Sequence, residues 1–267
     1  MMEVKAKKAL GQHFLTDLPT AEHIAETISA KELSQVCGPE KGILLGNLPV
    51  VEIGPGMGVL TDFLIAAGRD VTAIEIDHES VEYLGKFKKS INVIEGDFLR
   101  LDLNEIYPGD FVLIGNYPYN ISSQIFFKAL EYKDKIPVIA GMLQKEVAER
   151  ICSGPGSKVY GILSVLLQAW YDCEYLFTVE PGVFSPPPKV RSGVLRLTRN
   201  SRIDLGVDEK KFKTVVKTAF GQRRKTLRNS LAGMIPAGSP LLEDPILKER
   251  PERLSVEQFI YLAKALN

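Results

Sequence analysis

Cysteine is scarce and poorly placed for structure: Cys37, Cys152 and Cys173 are odd in number and widely scattered, so neither a disulfide framework nor a zinc site is indicated. Histidine is as scarce, and His13, His23 and His78 lack the spacing of metal ligands. No apolar h-region follows the N-terminal lysines, and no stretch approaches the roughly 18 unbroken apolar residues of a membrane helix. Internal repeats and low-complexity tracts are missing too. The expectation is a cytoplasmic protein that needs neither metal nor membrane. Its 267 residues, 45% of them hydrophobic, suffice for one large α/β domain or a core domain with a small appendage.

Net charge is also lacking, yet the zero balance hides a segregation. From Arg199 onward there are 14 basic and 8 acidic side chains, and the first 198 residues carry 19 basic and 25 acidic ones. Lys210, Lys211, Lys213, Lys217, Arg223, Arg224, Lys225 and Arg228 form a run with no acidic residue between its ends. A polyphosphate backbone docks on such a run, although a solvated helix face has the same composition. Arg223, Arg224, Lys225 and Arg228 are the best candidates for such backbone contacts.

Residues 1–16 are too polar and irregular for a core element and read as an arm. A helix follows over about 19–29, and a Gly/Pro-containing stretch from Gly38 to Pro49 leads to the apolar run Val50–Ile53. Strand patterns near 50–53, 71–76, 91–94, 110–115 and 136–142 then alternate with helical periodicity near 58–67, 78–88, 122–132 and 144–151, which implies a parallel sheet wrapped by helices. After a buried helix over 160–170, strands near 174–179 and 192–198 are expected to close the far edge as an antiparallel hairpin. That makes seven strands. Beyond Arg199 the pattern is helical only, so the expected domains are 1–198, α/β, and 199–267, small and all-helical.

The ends of the first four strands carry chemistry. Glu52-Ile53-Gly54-Pro55-Gly56-Met57-Gly58 has the spacing ExGxGxG, a loop whose glycines let a ligand approach the backbone. It fits neither the GxGxxG dinucleotide fingerprint nor a P-loop, so no pyrophosphate cradle is expected. Glu75 ends the second strand, where a carboxylate can accept ribose hydroxyls. Asp97 follows the third and can accept from an adenine amino group. Either carboxylate alone has an ordinary alternative as a helix cap. Asn116-Tyr117-Pro118-Tyr119 follows the fourth: an amide oxygen and a backbone carbonyl to accept two N–H donors, a proline-stiffened turn, and a ring to stack on a flat heterocycle such as adenine. An ordinary Pro turn has the same residues. Gly54, Glu75, Asp97 and Asn116 together describe a pocket for a nucleoside without phosphates, for which S-adenosylmethionine is the common cofactor.

At this point the chain resembles the class I, Rossmann-like methyltransferases, and more narrowly the ribosomal RNA adenine dimethyltransferase family. The resemblance rests on GQHFL at 11–15, VEIGPGMGVLT at 51–61, IEID at 74–77, GDFL at 96–99 and GNYPYNISSQI at 115–125. LQKEVAER at 143–150, FSPPPKVRS at 184–192 and FGQRRKTLRNSL at 220–231 extend it nearly end to end. It implies dimethylation of two adjacent adenosines near the 3′ end of small-subunit rRNA, within a pre-30S particle, by a monomer. Cofactor contacts carry over to His13, Leu15, Gly54, Gly56, Glu75, Asp97 and Asn116. Phe184 matches a second aromatic that sandwiches the target base against Tyr119. Two positions depart from the family pattern: His13 stands where Asn is common, and Tyr117 where Leu is usual. Related enzymes acting on large-subunit rRNA, and a non-catalytic assembly factor on the same fold, are the alternatives.

Overall fold

The computed structural model describes residues 4–88 and 90–266. They divide into two compact units, one of residues 1–148 with 174–199, the other of 149–173 with 200–267. The sequence expectation put a single break after residue 198; segment 149–173 packs with the helical residues instead, because its apolar face completes their core.

The first unit begins with the arm strand β1 (Phe14–Leu15), followed by helices α1 (Leu18–Glu26), α2 (Ala30–Cys37) and α3 (Pro39–Gly46). Asp17 caps α1 by accepting from the Thr20 N–H, and Ser29 caps α2 from the Glu32 N–H. Helix α3 occupies the stretch that looked like a connection. Gly42 and Gly46 read there as breakers, but they let α3 lie against α2: a Cβ on Gly42 would stand 2.2 Å from the Ser34 nitrogen.

Strands and helices then alternate as β2 (Val50–Ile53), α4 (Val59–Ala66), β3 (Val71–Glu75), α5 (His78–Phe87), β4 (Asn92–Glu95), the short α6 (Leu103–Ile106), β5 (Val112–Asn116), α7 (Ser122–Glu131), β6 (Val138–Gln144) and α8 (Lys145–Cys152). Helix α9 (Ile162–Gln168) precedes β7 (Tyr171–Val179), β8 (Phe184–Ser185) and β9 (Ser192–Arg199). The main sheet has seven strands in the order β4-β3-β2-β5-β6-β9-β7. Strands β2 to β6 pair in parallel, and β9 runs antiparallel to β6. The last two strands thus lie at the far edge as expected, with the later one inserted beside β6. The strands that run through the middle of the sheet are buried on both faces, which explains their unbroken apolar runs.

The arm is no loose tail. Strand β1 pairs antiparallel with β8, and both its residues are buried.

The centre of the sheet contains one tight fit. Gly115 on β5 is paired with Gly141 on β6, and the Tyr117 ring packs against both. Gly141 has φ +137°, and a Cβ there would lie 2.2 Å from the Gly115 carbonyl oxygen and 2.9 Å from Tyr117 Cε2.

The second unit packs α9 with α10 (Glu209–Gly221), α11 (Leu227–Ser230) and α12 (Val256–Ala265). Asp208 caps α10, and Ser255 with Gln258 forms a capping box on α12. The three-four spacing of Phe212, Val215, Val216, Ala219 and Phe220 puts all five on the buried face of α10. Phe220 stacks on Phe259 at 5.7 Å and meets Tyr160 edge-on at 6.1 Å.

Because backbone blocks any Cβ at position 141, Gly141→Ala is expected to lower stability by at least about 2 kcal/mol. The midpoint of urea unfolding measures it; a wild-type midpoint would show that the glycine pair is not required.

Candidate active site

In a parallel sheet every βα connection leaves from the same end, and three of them here converge on one pocket. Strand β2 delivers Gly54 and Gly56, β3 delivers Glu75, and β5 delivers Asn116 to Tyr119. The arm covers them with Leu10 to Leu15. The pocket they form is partly open to solvent. His13, Leu15, Gly54, Gly56, Glu75, Asn116, Tyr117, Pro118 and Tyr119 all line it.

Asn116 shows how the arm prepares the site. Its side-chain nitrogen donates to the His13 carbonyl at 3.0 Å. A carbonyl can only accept, so the amide orientation is determined and Oδ1 is the end left for a ligand. The role expected at Tyr117 belongs to its backbone carbonyl, and its side chain is engaged elsewhere. The ring is 1% exposed and its hydroxyl donates to the Ala140 carbonyl at 2.7 Å. Burial pushes that phenol well above its ordinary range. The residue can therefore act on a ligand only through its backbone carbonyl, which accepts none of the backbone hydrogen bonds found among the described residues. Tyr119 is half-buried; its hydroxyl meets Ser192 Oγ at 2.5 Å, and its ring lies 5.5 Å from that of His13.

The pocket is acidic within. Glu75 accepts from the Gly56 N–H at 3.1 Å and from the N–H groups of Ile76 and Asp77 at 2.9 Å each. Burial pushes its carboxyl up, and these three bonds offset only part of that. Glu52, 1% exposed, accepts from Thr61 Oγ1 at 2.6 Å. Burial, with Glu75 nearby, pushes Glu52 up to about 8. Among the described residues no lysine or arginine lines the pocket. Such a set disfavours a polyphosphate and suits a ligand with hydroxyls and positive charge.

The arm is latched over this pocket at Asp77. Lys7 Nζ pairs with the Asp77 carboxylate, Gln12 Nε2 donates to it at 3.2 Å, and Ser80 Oγ does so at 3.1 Å. Burial alone would raise the Asp77 carboxyl, but these partners outweigh it and hold it below the usual range.

Two expected residues lie apart from the rest. Asp97 does not line the pocket; its Oδ1 accepts from the Leu99 N–H at 3.0 Å and its Oδ2 is 3.4 Å from Arg100 Nε. Phe184 does not line it either. It is 4% exposed and belongs to the core cluster with Leu15, its partner across the β1–β8 pair, so it presents no open face to a base.

The basic residues belong to the second unit. Arg223 Nη2 donates to the Lys158 carbonyl at 2.7 Å, and Arg228 Nη2 to the Leu242 carbonyl. Arg224 and Lys225 are exposed. Sequence reasoning missed Lys158 and Arg253, which join Arg223 around one notch of this unit. No sequence run could reveal them, because three separate segments meet there. It also missed Glu52 as a pocket group, although the ExGxGxG spacing contains it.

The chain matches the model of the ribosomal RNA adenine dimethylase family over residues 3–267. It is similar to a ribosomal RNA small subunit methyltransferase A of Parabacteroides distasonis, 60% identical over 264 residues that cover 98% of this chain and 94% of that one. Among solved structures, a dimethyladenosine transferase from Plasmodium falciparum shares the fold, with a TM-score of 0.75 at 23% identity, covering 94% of this chain and 96% of that one. The 23S rRNA methyltransferase ErmE is 26% identical with a TM-score of 0.65, covering 95% and 99%.

Glu52 generates a prediction about pH. Its folded pKa is raised to about 8 from 4.5, so its contribution to stability is fully present below pH 4.5, where folded and unfolded chains both hold the proton. It declines as pH rises from there and is lost above about 8. Glu52→Gln cannot titrate, so its melting temperature is expected to fall less than that of the wild type between about pH 5 and 8. Parallel slopes for the two proteins would contradict the assignment.

Proposed function

Since the chain belongs to the ribosomal RNA adenine dimethylase family, we propose that it dimethylates two adjacent adenosines in the 3′-terminal hairpin loop of small-subunit rRNA, using S-adenosylmethionine. The observation that carries this reading is the pair of acceptors at the pocket mouth: Asn116 Oδ1, oriented by the His13 carbonyl, and the Tyr117 carbonyl. The small-subunit relatives and the FGQRRKTLRNSL segment favour this substrate over large-subunit rRNA. The substrate is read as rRNA in a pre-30S particle, which places the protein in the cytoplasm, acting as a monomer.

The pocket's chemistry fits the cofactor: the acidic side chains of Glu52 and Glu75, no lysine or arginine among the described residues of its lining, and glycines where a ligand nears the backbone. His13, Leu15, Gly54, Gly56, Glu75 and Asn116 would hold it. When bound, S-adenosylmethionine supplies a methyl group on a positively charged sulfur. The protein's own task is to prepare the nucleophile. An adenine amino nitrogen is poor at attack because its lone pair is delocalised into the ring. Asn116 Oδ1 and the Tyr117 carbonyl accept its two hydrogens, favouring a pyramidal nitrogen and stabilising the positive charge that develops on it. Tyr119 stacks on the flipped base, and Pro118 stiffens the turn between them. No strong base is required, since alignment supplies much of the rate and water takes the proton. The second methylation finds a single N–H, so the site must take a methyl where one acceptor first met hydrogen.

The second unit contributes backbone contacts that position the RNA without specifying it. Arg223 and Arg228 are partly engaged by carbonyls, so Arg224 and Lys225 lead this set, with Lys158 and Arg253 added from the notch.

Labelled S-adenosylmethionine supplied to unmodified small and large subunits should yield dimethyladenosine only in the small one; label confined to the large subunit would reverse the substrate assignment. Asn116→Ala is expected to keep cofactor and RNA binding while turnover drops at least about a hundredfold. Near-normal transfer by that variant would remove Asn116 from the mechanism. Replacing Lys158, Arg224, Lys225 and Arg253 by Gln should flatten the slope of log affinity against log salt by roughly 2 to 3, leaving cofactor affinity as it was. An unchanged slope would place the RNA elsewhere.

A further inference from the structure

A tyrosine ring has two side-chain torsions, and a base stacks on it productively only where both are set. At Tyr119 two neighbours divide that task. The phenol oxygen is 2.5 Å from Ser192 Oγ. That oxygen lies on the ring's own rotation axis, so the bond fixes where the axis points and leaves the ring free to turn about it. His13 restrains the turning: its ring lies 5.5 Å from that of Tyr119 with 33° between the planes. His13 is itself held by its Nδ1, 2.8 Å from the Pro186 carbonyl, which makes Nδ1 the proton-bearing nitrogen because that oxygen can only accept.

The two ends of the Ser192–Tyr119 bond differ in rigidity. Ser192 is completely buried and opens β9, paired with Gln144 of β6 in the main sheet. Tyr119 stands in the connection between β5 and α7, with its backbone carbonyl touched by Ser122 Oγ at 3.3 Å. The bond therefore ties a loop-borne ring to the sheet. Burial raises the Tyr119 phenol, and the Ser192 bond offsets part of that, so the hydroxyl stays neutral.

We propose that Ser192 is a positioning residue for methyl transfer: it anchors the Tyr119 hydroxyl to the sheet, and thereby sets the plane against which the target adenine stacks. This rests on the reading of Tyr119 as the stacking ring. It predicts an effect on turnover that runs entirely through the Tyr119 hydroxyl.

The experiment is a double-mutant cycle on the full chain with unmodified small subunits, reading kcat, KM, S-adenosylhomocysteine affinity and melting temperature for wild type, Ser192→Ala, Tyr119→Phe, the double variant and Tyr119→Ala. Ser192→Ala is expected to lower kcat about five- to tenfold, the scale of one lost hydrogen bond, with cofactor affinity unchanged. Tyr119→Phe should lose a similar factor, and the double variant should be within about twofold of either single one. Losses that multiply in the double variant overturn the proposal, because Ser192 would then act independently of Tyr119. Wild-type kcat in Ser192→Ala, with Tyr119→Ala inactive, overturns it while sparing the stacking role. Wild-type kcat in Tyr119→Ala would instead remove the stacking role itself. If Ser192→Ala does not fold, Tyr119→Phe breaks the same bond from the loop side, and wild-type kcat there overturns the proposal.

Discussion

One hydrogen bond, from the Asn116 side-chain nitrogen to the His13 carbonyl, joins the two parts of the first unit that the site requires. Asn116 ends a central strand, and His13 belongs to the arm that crosses the pocket. With the nitrogen engaged, the oxygen has one orientation, so the acceptor is in place before a substrate arrives. Preorganisation of this kind avoids reorienting a dipole as charge develops. The bond in turn depends on where the arm lies. Lys7 and Gln12 hold the arm's first half to Asp77, and the β1–β8 pair holds its second half, so His13 is suspended between two fixed points.

The distribution of charge follows the same division of labour. A pocket lined by Glu75, with Glu52 beside it and no lysine or arginine among the described residues of its lining, offers a phosphate no partner, while the second unit gathers Lys158, Arg223 and Arg253 around a single notch. One chain with no net charge thus offers an acidic site to a cationic ligand and a basic surface to a polyanion. Mixing the two would cost each function. A lysine near Glu75 would compete for the carboxylate, and added carboxylates among the arginines would repel any polyanion drawn to them. Glu252 does line the basic notch, which lowers its net charge without reversing the sign.

The strands were legible because the middle of a parallel sheet is buried on both faces, and Val50 to Ile53 or Val112 to Gly115 carries the resulting apolar run in plain view. The glycine loop, Glu75 and Asn116 were legible because each must stand at a strand end. Helix α3 was not, since Gly42 and Gly46 signal a break locally and a close helix contact globally. The arm was expected to lie outside the core, and a two-residue strand has too little periodicity to announce that Phe14 and Leu15 pair with β8 and are buried. Phe184 and Asp97 show a different limit. A motif places a residue near a site, whereas burial against Leu15 or a turn hydrogen bond to Leu99 decides which way its side chain is used.

Tyr117 carries that argument furthest. An acceptor role that falls on a backbone carbonyl is indifferent to the side chain, provided the side chain keeps the backbone where it is. Here the ring fills space above Gly115 and Gly141, and its hydroxyl is satisfied by the Ala140 carbonyl, so the larger residue is accommodated without an orphaned polar atom. A leucine would occupy the same apolar region with no hydroxyl to place. Tyrosine at this position is thus a packing solution that preserves the carbonyl. Asn116 has no such latitude if it acts as proposed, because its nitrogen is held by His13 and its oxygen is the end left for a ligand. Within one tetrapeptide, the freedom to vary follows from which atoms do the chemistry.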